Sequence, residues 1–307
     1  MPITHHIPPG VEIVLRACKV ITERLQWGNN SVTEGFQDIR YKGSATKDDM
    51  NAVLRSLGIF PGNVVMMHSD AGAVARLGWT PSEMIDHLLE YLGPLGTLAM
   101  PSHPHLQDCD ARRIFDVRRS YSTVGLLTEV FRRRKETLRS EYPFAAAAAQ
   151  GALARQMLSA HRDSYAPHDE YSPYGRLAAL NGKVLILGCA LDRMTIIHVA
   201  EDTLRDAIAI PGFYQTEVIW IRNDEGEFPL ETHRRAPWLW WYLAKFQWTA
   251  QMHDQGLVRK ALLMGMPFLA VDATATVAWM QEQVRRGKTI YPLAKWNRIF
   301  RLRGPDL

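Results

Sequence analysis

Gly182-Lys183-Val184-Leu185-Ile186-Leu187-Gly188-Cys189-Ala190-Leu191-Asp192-Arg193-Met194-Thr195-Ile196-Ile197-His198-Val199-Ala200-Glu201 is the stretch on which the fold turns. Four apolar residues in a row with no alternation predict a strand buried on both faces, as in a parallel sheet, over Lys183 to Leu187. Gly188 closes it, and the chain passes through Asp192 to a helix predicted to begin at Thr195. In open α/β sheets ligands bind beyond the carboxyl ends of parallel strands, so the residues after Leu187 are where chemistry is expected. His198 and Glu201, three apart on that helix, fall on one side of it. A histidine held by a carboxylate is a general-base pair; a surface His–Glu pair is the other reading of the same spacing.

The same pattern recurs upstream. Val64-Val65-Met66-Met67 reads as a buried strand running into His68-Ser69-Asp70, and Thr97-Leu98-Ala99-Met100 as another. Between them Thr80-Pro81-Ser82-Glu83 opens an amphipathic helix through Met84, Ile85, Leu88, Leu89 and Leu92 that stops at Gly93. Thr46 caps a preceding helix through Met50, Val53, Leu54 and Leu57. A further helix is expected over Ser122 to Arg134. Val218-Ile219-Trp220-Ile221 and Phe228 to Leu230 flank Asn223-Asp224-Glu225-Gly226, a hairpin signal. The expected fold is α/β, a mainly parallel central sheet flanked by helices, with antiparallel strands added toward the C-terminus. Residues 1–43 hold one amphipathic helix, roughly Val11 to Leu25, and read as an N-terminal extension to a 44–307 domain. Ala145 to Ala149 gives no reading.

The 307 residues carry 36 Lys+Arg against 32 Asp+Glu, with 47% hydrophobic and 22% charged, which excludes disorder as the main state. Cys18, Cys109 and Cys189 are too few and too scattered for a disulfide scaffold. No run is apolar and long enough to span a bilayer, and charges interrupt the first thirty residues, so the expectation is a cytoplasmic protein without a signal peptide. Nucleic acid is not expected as a partner, because no recognition motif accompanies the basic residues. Self-association is left open.

Other polar groups compete for a role. His103-x-His105-x-x-x-Cys109, with Asp108 and Asp110 beside it, is a donor set for zinc or another divalent metal, or else a polar loop. Ser69 lacks a Gly-x-Ser-x-Gly elbow, which disfavours a serine esterase. Arg112, Arg113, Arg118, Arg119, Arg132 to Arg134 and Arg139 form a basic region suited to phosphate, and Arg285, Arg286, Lys288, Lys295, Arg298, Arg301 and Arg303 a basic C-terminus.

Taken together, several segments resemble the aminoglycoside 3-N-acetyltransferase family. They are Val65-Met66-Met67-His68-Ser69 with Leu77-Gly78, Gly93-Pro94-x-Gly96-Thr97-Leu98-x-Met100-Pro101, Leu138-Arg139-Ser140-x-x-Pro143, Ser172-Pro173-x-Gly175-x-Leu177 and, most specifically, Gly182 through Asp192-x-x-Thr195-x-x-His198-x-Ala200-Glu201. The resemblance implies an acyl-CoA-dependent N-acyltransferase with acetyl or hydroxyacyl donors. His198 and Glu201 would serve at the acceptor amine, and His68, Ser69, Leu77, Gly78 and Ser140 would lie along the CoA path. Asp70, Asp192 and Thr195 would lie at the substrate. Asp70 stands where the family usually has a second serine. With arginines plentiful and no carboxylate cluster obvious, the expected acceptor is a nucleotide-linked amino sugar. The alternatives are an aminoglycoside, with antibiotic resistance as the outcome, and a catalytically idle CoA- or nucleotide-binding relative.

Overall fold

The structure, a computed structural model, describes residues 43–291 apart from 110–111, 209–211, 238 and 240–244. The N-terminal extension with Cys18, Asp110 of the donor loop, and Lys295, Arg298, Arg301 and Arg303 lie outside the described residues.

Among the described residues eleven strands form two sheets: β1 (Val64–Ser69), β2 (Thr97–Pro101), β3 (Gln107–Cys109), β4 (Arg112–Asp116), β5 (Leu138–Arg139), β6 (Ala147–Gly151), β7 (Lys183–Leu187), β8 (Tyr214–Asn223), β9 (Gly226–Arg235), β10 (Val258–Leu263) and β11 (Met266–Asp272). The helices are α1 (Lys47–Ser56), α2 (Ala71–Arg76), α3 (Pro81–Leu92), α4 (Leu126–Arg132), α5 (Ala154–Leu158), α6 (Pro173–Ala179), α7 (Val199–Thr203), α8 (Lys245–Asp254) and α9 (Ala273–Arg285). The central sheet runs β10-β11-β7-β1-β2-β6-β5. At its middle β1 pairs in parallel with β7 and β2, while β11 and β6 run against their neighbours. Five of the seven strands therefore point one way, and the carboxyl ends of β1, β2 and β7 lie side by side.

Burial on both faces explains the unbroken apolar runs. Val64, Met66, Val184 and Ile186 face a layer built from α5 to α9, whereas Val65, Met67, Leu185 and Leu187 face α1 to α4. Thr46 and Thr80 each cap their helices in reciprocal pairs with Asp49 and Glu83. Ala147 to Ala149, the last three of the alanine run, open β6 and are fully buried. α4 begins only at Leu126, because Gly125, with φ +122°, interrupts the expected helix.

The second sheet, β3-β4-β8-β9, was expected only in its hairpin. Asn223 and Gly226 close that hairpin as its sequence implied, but the strands extend to Tyr214 and Arg235, which face each other at its open end. The segment between β2 and α4, which carries no strand signal in its sequence, supplies β3 and β4, with β4 pairing in parallel with β8.

Candidate active site

Beyond β7 the chain turns sharply. Gly188 has φ +65°, and a Cβ there would sit 2.3 Å from the Ala73 Cβ, so only glycine lets α2 and the strand end approach. Two short 3₁₀ turns follow, and His198 closes the second of them immediately before α7, which carries Glu201 and Asp202. His198 and Glu201 are thus neighbours across a 3₁₀-to-α junction rather than along one helix.

What joins them is Arg235, delivered by the end of β9. Its Nη1 contacts His198 Nδ1 at 2.7 Å, Glu201 Oε2 at 3.0 Å and the Tyr291 hydroxyl at 2.9 Å. Its Nη2 donates to the His198 carbonyl at 2.8 Å and to Asp202 Oδ1 at 2.7 Å, and its Nε donates to the same Oδ1 at 3.1 Å. Tyr214, opposite Arg235 in the hairpin register, donates to Asp202 Oδ1 at 2.7 Å. On the other carboxylate oxygen Asp202 receives the backbone N–H of His168 at 3.0 Å and the His168 ring Nδ1 at 2.9 Å. Glu201 Oε1 accepts from the Ile290 N–H at 2.8 Å. The two histidine rings lie with centroids 4.9 Å apart.

One guanidinium here faces two carboxylates with side chains 0% and 1% exposed, and it cannot serve both equally. Burial pushes both carboxyls up. At Asp202 the Arg235 charge, His168 and Tyr214 outweigh that effect and bring it down to about 2. Glu201 receives a single guanidinium nitrogen and sits beside the ionised Asp202, so burial dominates and raises it to about 7. Burial alone would lower Arg235, but Asp202, Tyr291 and Glu201 hold it well above its ordinary value. Burial pushes Tyr291 up to about 12 and, with the Asp202 charge, raises Tyr214.

The remaining expected residues separate. His68 is buried at the end of β1, and Ser69 is half-buried at its carboxyl end, opposite Leu187. Asp70 caps α2, its Oδ1 accepting from the N–H groups of Gly72 and Ala73. Leu77 is a fully buried core residue whose carbonyl takes the Ala45 N–H. Gly78 lies against Ser44, where a Cβ would come within 2.3 Å of its Oγ. Ser140 has internal partners: its buried hydroxyl accepts from the Ala147 N–H and bonds His161 Nδ1 at 2.8 Å. Asp192 and Thr195 stay in the 3₁₀ turns before His198, with a buried Asp192 Oδ1.

The donor loop does not assemble a metal site. His105 stacks on Tyr121 at 4.6 Å, whereas Cys109 is exposed on the edge strand β3, paired with Arg112. Among the described residues no group of three or more His, Cys, Asp or Glu side chains is placed to hold an ion. His103, His105 and Cys109 thus do not form a ligand cluster among the described residues.

Sequence reasoning missed Arg235, Asp202, His168, Tyr214 and Tyr291. The one available signal was His168-Asp169-Glu170, immediately ahead of the family-like Ser172-Pro173 block.

A family model described as aminoglycoside 3-N-acetyltransferase matches residues 66–285. Aminoglycoside N(3)-acetyltransferase IV of a Salmonella species is 36% identical over 167 residues, covering 54% of this chain and 62% of that protein. The chain thus spans less than two thirds of that relative. Among solved structures, the binary complex of AAC-IIIb with CoASH superposes with a TM-score of 0.69 at 26% identity, covering 80% of this chain and 98% of the other. A histidine-to-alanine mutant of the aminoglycoside acetyltransferase AAC(3)-IVa in complex with a gentamicin superposes with a TM-score of 0.67 at 26% identity, covering 80% and 91%.

Proposed function

The chain belongs to the aminoglycoside 3-N-acetyltransferase family, and from that premise we propose that it transfers an acetyl group from acetyl-CoA to an amino group of an aminoglycoside. The observation that carries this reading is the buried histidine–carboxylate cluster around His198, Glu201, Asp202 and His168 at the carboxyl end of β7, inside the family-matched segment. An ammonium must lose a proton before it attacks a thioester, and a histidine oriented by a carboxylate takes it. Support also comes from relatives whose structures contain CoASH and a gentamicin.

The case for a nucleotide-linked acceptor rested on the abundance of arginines, and most of those between 112 and 139 have partners within the fold. Arg112 pairs with Glu227, Arg113 with Glu217 and Arg118 with Asp224. Arg132 and Arg133 both pair with Glu129, and Arg134 pairs with Asp86. Arg139 is turned inward onto the carbonyls of Ser102 and Ser120. An idle relative is disfavoured by an organised, buried cluster whose assembly takes three charged side chains out of water.

The test is release of CoA thiol from acetyl-CoA with gentamicin, sisomicin and apramycin beside nucleotide-linked amino sugars. Turnover of at least one aminoglycoside, with kcat/KM above every phosphorylated acceptor, is expected. Turnover of the phosphorylated acceptors alone would overturn the reading.

A further inference from the structure

His168 stands on a segment that belongs to no helix or strand, yet residues 166–169 are all buried. A buried loop must find partners for its own N–H and C=O groups, because water does not reach them. Asp202 Oδ2 takes the His168 N–H at 3.0 Å, and Asp169 Oδ2 takes the Ala166 N–H at 3.1 Å. The carbonyls are met by side chains from other parts of the chain. Tyr142 donates its hydroxyl to Tyr165 O at 3.2 Å, and His233 Nδ1 reaches the same oxygen at 3.1 Å. His161 Nε2 lies 3.2 Å from Pro167 O.

Burial holds the His161 ring neutral, pushing it down to about 3, so its donor and acceptor pattern does not change around neutral pH. A carbonyl only accepts, so the single ring proton sits on Nε2, and Nδ1 accepts from the Ser140 hydroxyl 2.8 Å away. Ser140 Oγ itself accepts the Ala147 N–H, which anchors this chain of bonds to β6. The Tyr142 hydroxyl accepts the His233 N–H at 2.9 Å, two residues before Arg235. The Tyr142 and His161 rings stack, with centroids 5.0 Å apart and planes at 24°. All three side chains are fully buried.

We propose that Ser140, Tyr142 and His161 are positioning residues, a cradle that fixes the 165–168 backbone and so seats His168 against Asp202. The cradle bonds carbonyls at alternate residues, Tyr165 and Pro167, so the segment cannot shift at either point without breaking a buried bond. A buried carbonyl left unpaired is costly, which gives the segment one arrangement rather than several. The kinetic consequences rest on the acyl-transfer reading, whereas the seating of His168 does not.

Hydrogen exchange followed by NMR on the full chain tests the seating without turnover. In His161→Leu, which offers Pro167 O no donor, the His168 amide should exchange at least about tenfold faster than in wild type, while β1 and β7 amides keep their rates. His161→Gln supplies both an N–H and an oxygen, and should hold the His168 rate to within about threefold of wild type. An unchanged His168 rate in His161→Leu, a rate that rises only in step with β1 and β7, or a glutamine variant as fast as the leucine one overturns the proposal. If His161→Leu fails to fold, Tyr142→Phe, which removes only the hydroxyl on Tyr165 O, carries the test by the same criteria. In thiol-release assays His161→Leu should lower kcat by about ten- to a hundredfold, the cost of a misplaced group, with KM for acetyl-CoA changed less than about threefold. A loss of kcat no larger than the unfolded fraction of the variant overturns the positioning role. If exchange behaves as expected but the wild-type chain acetylates no acceptor, the acyl-transfer reading falls and the seating of His168 stands.

Discussion

Glu201→Gln isolates the weaker arm of the Arg235 fork, and its effect on stability should change with pH. The carboxyl is raised from an ordinary 4.5 to about 7, so the folded chain holds that proton more tightly than the unfolded one. The group therefore favours folding below its ordinary value, and that contribution is lost as pH rises from 4.5 through about 7. At 1.36 kcal/mol per unit of pKa, the loss is about 3 kcal/mol. Glutamine does not titrate. It has one oxygen for two donors, the Ile290 N–H at 2.8 Å and Arg235 Nη1 at 3.0 Å, so its amide nitrogen opposes one of them at a cost of about 1–3 kcal/mol. At pH 5 the variant should be less stable than wild type by that amount, and by pH 8 the gap should close or reverse. Urea unfolding of both proteins at pH 5, 6, 7 and 8 measures the difference, in which the titration of distant groups cancels. A gap that stays constant, or that widens with pH, would show the carboxylate ionised throughout and refute the raised value.

Gly78→Ala should cost at least about 2 kcal/mol in urea unfolding, because φ is +77° and the new Cβ meets Ser44 Oγ at 2.3 Å and its Cα at 3.0 Å. Arg139→Lys removes a fork that holds Ser102 O at 2.7 Å and Ser120 O at 2.5 Å, and should destabilise by about 1–3 kcal/mol while exposing the 102–120 segment to limited proteolysis. Peptide mapping after brief alkylation should find exposed Cys109 modified well before Cys189, whose thiol burial pushes up to about 12. Added zinc should not protect Cys109; protection would restore the metal reading of its loop.

The sheet's centre was legible because β1 and β7 are covered on both faces, which leaves unbroken apolar runs that no surface strand shows. The capped helices were legible because Thr46 and Thr80 carry their partners three residues on. β3 was not, since all three of its residues are exposed and nothing apolar marks it, and β5 is only two residues long. β8 and β9 were found at their turn but not followed to their ends, where Tyr214 and Arg235 leave the apolar alternation in order to reach the site.

That last omission governs the chemistry. His198 and Glu201 could be placed from their spacing after a strand, but helical spacing gives no reason to join Asp202 to Glu201, since adjacent positions point in different directions. A guanidinium with several donors removes that restriction, because different edges of Arg235 meet Glu201 and Asp202. The residue that does so lies 34 positions beyond Glu201, at the far end of a hairpin whose register fixes Tyr214 beside it. Local pattern sets that register, yet whether the hairpin folds over the end of β7 is a tertiary fact with no local signature. The same reasoning explains the misread arginines. A sequence counts its cations, but the fold assigns each a partner, so a surplus seen in composition becomes ion pairs at Arg112, Arg113 and Arg134 and a buried structural fork at Arg139. At Arg235 it becomes the group that ties His198, Glu201 and Asp202 together.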